Sequence, residues 1–196
     1  MAIVACLLSY VLGSIPNGLI WGKLIWHLDL RDYGSHNIGA TNAWRTLGKR
    51  AGIFIFALDF LKGALGAGLG LWFGGTALAM VMAGLAAMLG HSFSLFLGFK
   101  GGKGVATGLG VIAMLMPFIT LAVFFVWLLL VLVTGYVSLG SCVAAVLVPI
   151  FAVLSDCPAE YVLFGILAAA FINLRHKDNI HRLLNGTENK IKAGHR

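Results

Sequence analysis

Apolar residues along this chain come in long blocks, not in the alternating or amphipathic stripes of a water-facing fold. The blocks fall at 3–26, 51–73, 76–97, 105–154 and 159–174. A helix needs roughly 20 apolar residues to cross a bilayer, so each block predicts at least one membrane helix. The fourth is too long for one crossing at about 1.5 Å per residue. Its natural break points are Pro117 and the polar run Thr134 to Ser141, because proline lacks an N–H and glycine and serine favour turns. Its first piece, Val105 to Met116, is short enough for a half-span. The pattern predicts an all-α, polytopic membrane bundle of seven helices, forming a single integral-membrane domain over residues 1–196.

Charge orients this bundle. Lys23, Arg31, Arg45, Lys49 and Arg50 lie between the first two blocks, and Lys100 and Lys103 follow the third. Arg175, Lys177, Arg182, Lys190, Lys192 and Arg196 follow the last, whereas acidic Asp156 and Glu160 sit on the opposite side. Basic loops stay cytoplasmic, which predicts an outside N-terminus and a cytoplasmic C-terminus. All but Lys62 of the 14 Lys and Arg residues then face the cytoplasm. The first block has no basic leader or small-residue cleavage site, so it reads as a retained span.

Composition agrees: 60% of residues are hydrophobic and 11% charged, against roughly a quarter charged in soluble domains. The net charge of +7 follows from cytoplasmic loops and does not call for nucleic acid. The 26 glycines suit helices that approach closely. Cys6, Cys142 and Cys157 have no metal-like or disulfide-framework spacing and read as small core residues.

Polar residues gather in three segments on the side assigned to the cytoplasm. The first runs from Asp32 to Arg45 and includes Gly34, Ser35, His36, Asn37, Gly39, Thr41 and Asn42. Glycines admit close backbone approach to an anion, the neutral side chains add donors, and Arg45 supplies a planar fork for phosphate. An ordinary polar loop has the same composition. The second runs from His91 to Gly108 around Gly101, Gly102, Lys103 and Gly104, a glycine-lysine turn before a helix that would cradle an anion. It is not a nucleotide P-loop, since Leu97 stands where the leading glycine belongs and Gly104 where Ser or Thr belongs. A flexible turn with snorkelling lysines is the plainer account. The third runs from Arg175 to Glu188, where helical spacing would put His176 and Asn179 on one face; a basic interface tail is its plainer account.

Together these segments resemble the acyl-phosphate:glycerol-3-phosphate acyltransferase family of small bacterial membrane enzymes. The resemblance rests on Gly34 to Asn42 with Arg45, on Phe99 to Thr107, on Gly135 to Ser141 and on Arg175 through Glu188, in that order along nearly the whole chain. One position departs: His36 stands where the family pattern calls for glycine.

The resemblance implies transfer of a fatty acyl group from acyl phosphate to glycerol 3-phosphate in the inner (cytoplasmic) membrane, giving 1-acylglycerol 3-phosphate for phospholipid synthesis. It implies membrane lipid as surroundings, no metal or nucleotide cofactor, no nucleic acid and no obligate protein partner. It carries catalytic roles onto Ser35, Arg45, Lys103, His176 and Asn179. Substrate-binding candidates are Asn37, Gly39, Thr41, Asn42, Gly101, Gly102, Gly104 and Ser141, with Glu188 as a structural anchor. Lys62, three residues from Asp59 inside the second block, is a further substrate-binding candidate, although mutual pairing is its default.

Two other readings use the same residues. His27 and Asp32 match the His-x-x-x-x-Asp spacing of unrelated glycerolipid acyltransferases, but no partner motif follows. A transporter of phosphorylated solutes would also carry basic groups, yet such proteins place them near the midplane in related halves, and no internal repeat is visible here. For the glycerol hydroxyl's proton, the acceptors left open are His176 and a substrate phosphate.

Overall fold

The computed structural model describes residues 1–191, so Lys192 and Arg196 of the basic tail lie outside the described residues. Ten α-helices run through the described residues: α1 (Ala2–Ser14), α2 (Asn17–Trp26), α3 (Ala40–Leu47), α4 (Lys49–Gly74), α5 (Ala77–Ser92), α6 (Val105–Leu115), α7 (Pro117–Thr134), α8 (Val137–Leu154), α9 (Ala159–Arg175) and α10 (Lys177–Leu184). Single 3-10 turns stand at Leu30–Asp32 and Leu95–Leu97. Five helical stretches among the described residues are long and apolar enough to cross a membrane: Ala2–Trp26, Lys49–Gly74, Ala77–Leu97, Pro117–Thr134 and Val137–Leu154. The shorter apolar α6 and α9 join them as packed helices.

Three sequence expectations need correction. The first span is not continuous, because Pro16 breaks it into α1 and α2; a proline in a helix interior removes one hydrogen bond and crowds the preceding turn. The break after α7 is shorter than the polar run suggested. Gly135 takes a φ of 78° to cap α7, and α8 resumes at Val137, so Ser138 and Ser141 are helical. The third segment is not one helix, for His176 ends α9 and caps the start of α10.

The chain divides into two compact units, 1–111 and 112–191, with the boundary inside α6. In the first unit α1, α4 and α5 pack on one another through small residues. A Cβ on Gly13 would strike the Ala87 backbone, and one on Gly66 the Ala87 side chain. The start of α6 lies equally close to α4, where Gly63 abuts the Thr107 carbonyl and Gly110 the Phe60 carbonyl. In lipid, where water drives nothing together, such close approach supplies the dispersion contact that holds helices. Short, amphipathic α3 lies on α4 around a cluster of Leu30, Ala43, Ala51 and Ile55, which seats the Asp32–Arg45 segment. In the second unit α8 packs against both α7 and α9, and α10 reaches α8 and α9. Large apolar side chains such as Trp72, Phe118, Leu132 and Leu154 face outward, as they do where the solvent is hydrocarbon.

Candidate active site

The first polar segment is held by one side chain. Asn42 on α3 is buried and serves four backbone groups. Its Oδ1 accepts from the Ser35 N–H at 2.9 Å, and its Nδ2 lies 2.9–3.0 Å from the carbonyls of Leu30, Tyr33 and Asn37. Asn42 therefore shapes the loop from within. Asn37 does similar work locally, accepting from the Gly39 N–H at 2.8 Å just before α3 begins. Gly34 adopts a φ of 62° with Asn42 Oδ1 where a Cβ would be, so both conformation and space require glycine. His36 sits at a φ of 55°, which explains why the family pattern favours glycine there; its Nδ1 lies 2.8 Å from the Arg31 carbonyl. The scaffold leaves Ser35 exposed and Thr41 and Arg45 half-buried on the loop and α3. Upstream, the side-chain hydrogen bond from Arg31 holds the Asp29 carboxyl well below the usual carboxylate range, and Lys23 bridges it at 3.0 Å. His27 merely caps α2, at a φ of 54°.

The glycines of the second segment do something other than expected. The N–H groups of Gly101 and Gly102 donate to the Ser92 and His91 carbonyls at 3.0 and 3.1 Å, so they are not aimed at an anion. A Cβ on Gly101 would strike the His91 carbonyl, and one on Gly102 the His91 ring. These two glycines let the turn lie flat on the end of α5. Gly104, at a φ of 80°, then turns the chain into α6. Lys103 stands half-buried just before the positive end of that helix, where an anion is favoured.

Lys62 is not at the surface of either loop. It is buried with Asp59, Nζ to Oδ1 at 3.0 Å, and its Nζ also donates to the Ile15 carbonyl at 2.9 Å. Asn17 donates to the same carboxylate oxygen at 3.0 Å. The pairing of Asp59 with Lys62 is the one their spacing suggests; Asn17 has no such signal in the sequence beyond Pro16, a helix breaker in an apolar run.

In the second unit the third segment is tied to Glu188. Its Oε1 accepts from Ser138 Oγ at 2.8 Å and Asn179 Nδ2 at 2.7 Å, and its Oε2 pairs with Arg182 Nε at 2.7 Å. Burial pushes the Glu188 carboxyl upward, but the hydrogen bonds from Asn179, Ser138 and Arg182 outweigh it and leave it below its ordinary value. Buried His176 places Nδ1 2.8 Å from the Ile172 carbonyl, which in a neutral ring puts the proton on Nδ1 and the lone pair on Nε2. Ser141 donates to the Val137 carbonyl of its own helix at 2.9 Å, leaving its oxygen as an acceptor.

Outward-facing apolar helices and glycine-shaped basic loops define a multi-pass membrane protein that is all-helical among the described residues. A family model described as glycerol-3-phosphate acyltransferase matches residues 3–186. Curated proteins of that name are 45% identical over 185 residues in Fusobacterium nucleatum subsp. nucleatum, covering 94% of this chain and 95% of that one, and 43% identical over 191 residues in Aquifex aeolicus, covering 97% and 99%. The fold is similar to crystal structures of PlsY (YgiH), an integral membrane glycerol 3-phosphate acyltransferase. Its glycerol 3-phosphate form superposes with a TM-score of 0.92 at 42% identity, covering 97% of this chain and 96% of that one. Its lysophosphatidic acid form gives 0.90 at 41% identity, covering 96% and 94%. The chain belongs to the glycerol-3-phosphate acyltransferase family.

Proposed function

We propose that this protein is one integral-membrane acyltransferase domain that moves a fatty acyl group from acyl phosphate to glycerol 3-phosphate. The glycerol hydroxyl oxygen attacks the acyl carbonyl carbon, the bond from that carbon to the phosphate oxygen breaks, and 1-acylglycerol 3-phosphate and inorganic phosphate leave. The observation that carries the reading is the pair of glycine-shaped loops in the first unit, each presenting one half-buried cation, Arg45 or Lys103. Two phosphorylated substrates need such cations, while an acyl phosphate is already activated and needs mainly alignment and charge neutralisation. The PlsY structures in glycerol 3-phosphate and lysophosphatidic acid forms support the acceptor and the product.

In this reading Ser35, with Asn37 and Thr41, gives neutral donors to a phosphate, Gly39 shapes the loop with its N–H held by Asn37 Oδ1, and Arg45 gives its bidentate fork. Lys103 and the start of α6 receive the other phosphate, with Gly101, Gly102 and Gly104 shaping the turn. His176, Asn179 and Ser141 are assigned to positioning by their motifs. The hydroxyl proton passes to a phosphate oxygen of the substrate, whose second pKa near 6 makes it a competent acceptor at neutral pH. The lone pair on His176 Nε2 favours a second reading, in which the imidazole takes that proton. In this reading the chain crosses the inner membrane seven times, and the basic character of the loops supports chemistry at its cytoplasmic face.

The test is turnover by purified protein in lipid discs with acyl phosphate and glycerol 3-phosphate, beside acyl-coenzyme A as alternative donor. Acyl phosphate is expected to be consumed and acyl-coenzyme A not. Comparable rates with both donors would overturn the donor assignment, and uptake of glycerol 3-phosphate into vesicles without acylation would favour a transporter.

A further inference from the structure

The first unit buries an ion pair where an apolar pair would pack more cheaply. Asp59 and Lys62 are 2% and 4% exposed. Charges in hydrocarbon are costly unless other groups satisfy them. Here the break in the first span does so. The helix breaks at Pro16, and the carbonyls at the end of α1 take donors from other elements, beside the Asn17 N–H that reaches the Ile15 carbonyl at 3.1 Å. Lys62 Nζ donates to the Ile15 carbonyl at 2.9 Å, and the Ser94 hydroxyl donates to the Ser14 carbonyl at 2.5 Å. Across the break Asn17, the first residue of α2, donates to Asp59 Oδ1 at 3.0 Å. The cation thus stands at the negative end of α1 and the carboxylate at the positive end of α2, favourable on both sides.

Two contacts lead outward from this pair. Gly18, next to Asn17, lies so near the Ile38 carbonyl that a Cβ would overlap it, and Ile38 belongs to the loop between Ser35 and Arg45. On the other side His91 is buried with Nδ1 3.8 Å from Asp59 Oδ1. Its carbonyl accepts the Gly102 N–H, and its ring occupies the space a Gly102 side chain would need. Each cation-bearing loop therefore rests on a group beside the ion pair: Gly18 follows Asn17, which donates to the carboxylate, and the buried His91 ring lies next to that carboxylate, beyond hydrogen-bond length.

We propose that Asp59 and Lys62 are positioning residues. With Asn17 they lock the broken first span, and through Gly18 against Ile38 and His91 against Gly102 they set both the Arg45 loop and the Lys103 loop. The catalytic consequence rests on the proposed function, whereas the coupling of the two loops does not. A displacement of about 1 Å in such loops costs on the order of a hundredfold in rate.

The test uses Asp59→Asn/Lys62→Gln, because a single change leaves an uncompensated buried charge while the double change keeps hydrogen-bonding groups and removes both charges. In lipid discs, amide exchange over residues 33–46 and 99–106 should rise about tenfold while α7 and α8 keep their protection. KM for both substrates should rise about tenfold, with a smaller fall in kcat. A second arm pairs His91→Ala with Gly102→Ala. Each alone should lower kcat/KM about tenfold and speed exchange over 99–106, and together they should do no more harm than the worse one, since the ring that collides with the new methyl is gone. Unchanged exchange in both loops, exchange that rises equally through the whole bundle, or losses at His91 and Gly102 that multiply would each overturn the proposal. A wild-type protein that turns over neither substrate sinks the functional reading and leaves exchange to decide the positioning one. Should the charge-free double variant fail to fold, the His91 and Gly102 pair decides.

Discussion

The Ser35–Arg45 loop and the His176–Glu188 segment are both polar in sequence but are built on opposite plans. In the loop one buried amide, Asn42, serves backbone groups, so its shape is a property of the main chain. In the segment one carboxylate, Glu188, gathers the side chains of Ser138, Asn179 and Arg182, so its shape is a property of charge. A backbone-built site should fail through geometry and be indifferent to mild acid. A charge-built site should fail through titration.

The largest effect expected on the loop is at Arg45. Arg45→Lys keeps the charge and loses the bidentate fork, so kcat/KM should fall about a hundredfold or more in protein that still melts like wild type. Near wild-type turnover would reduce Arg45 to a charge that orients the chain in the membrane. Next comes the amide itself. Asn42→Leu leaves buried backbone groups without partners at about 1–3 kcal/mol each, so melting temperature and activity should fall together, at every pH alike. An Asn42→Leu protein with unaltered stability would break the comparison from the loop side.

At the other pole, Glu188→Gln should act through pH. The folded carboxyl lies below its ordinary value, so it stabilises the fold above its unfolded pKa, and that contribution is lost as pH falls through the folded value. Wild type should therefore lose stability on acidification over that window. Glu188→Gln should start lower at neutral pH and show a flatter acid limb. Parallel pH curves for the two proteins would remove charge as the organising feature.

His176→Gln should cost only a few-fold in kcat and leave the pH–rate profile in place if a substrate phosphate takes the proton. A true base supplies roughly a hundredfold to ten-thousandfold. A fall of that size with loss of the limb near the imidazole range would return the role to Nε2. Smallest of all, His36→Gly should raise stability by about 1 kcal/mol or less, since glycine takes a positive φ without strain, offset by the contact to the Arg31 carbonyl. A destabilised His36→Gly would mean that contact outweighs the strain.

Much of this protein is a local matter, and the sequence by itself determined that much. Apolar blocks long enough to cross a bilayer, breaks at Pro117 and within Thr134 to Ser141, and the order of the polar motifs can all be read along the chain because each depends on residues next to one another. Glu188 as an anchor followed from the family resemblance, and its partners Asn179 and Arg182 lie nine and six residues away, while Ser138 lies 50 away on α8. Other features depend on what meets across helices, and only the tertiary structure decided them. The first block reads as one span, and nothing local to Pro16 shows that Lys62, 47 residues from Ile15, would donate to the carbonyl beside the break. Gly101 and Gly102 read as an anion cradle from sequence, but the Ser92 and His91 carbonyls at the end of the preceding helix accept their N–H groups, and His91 fills their side-chain space. The tautomer of His176 followed from a bend between α9 and α10 that spacing alone placed on one continuous face. A residue's propensity and hydropathy act over a few neighbours, whereas the partner of a buried polar group is whichever donor or acceptor the packed helices bring within about 3 Å.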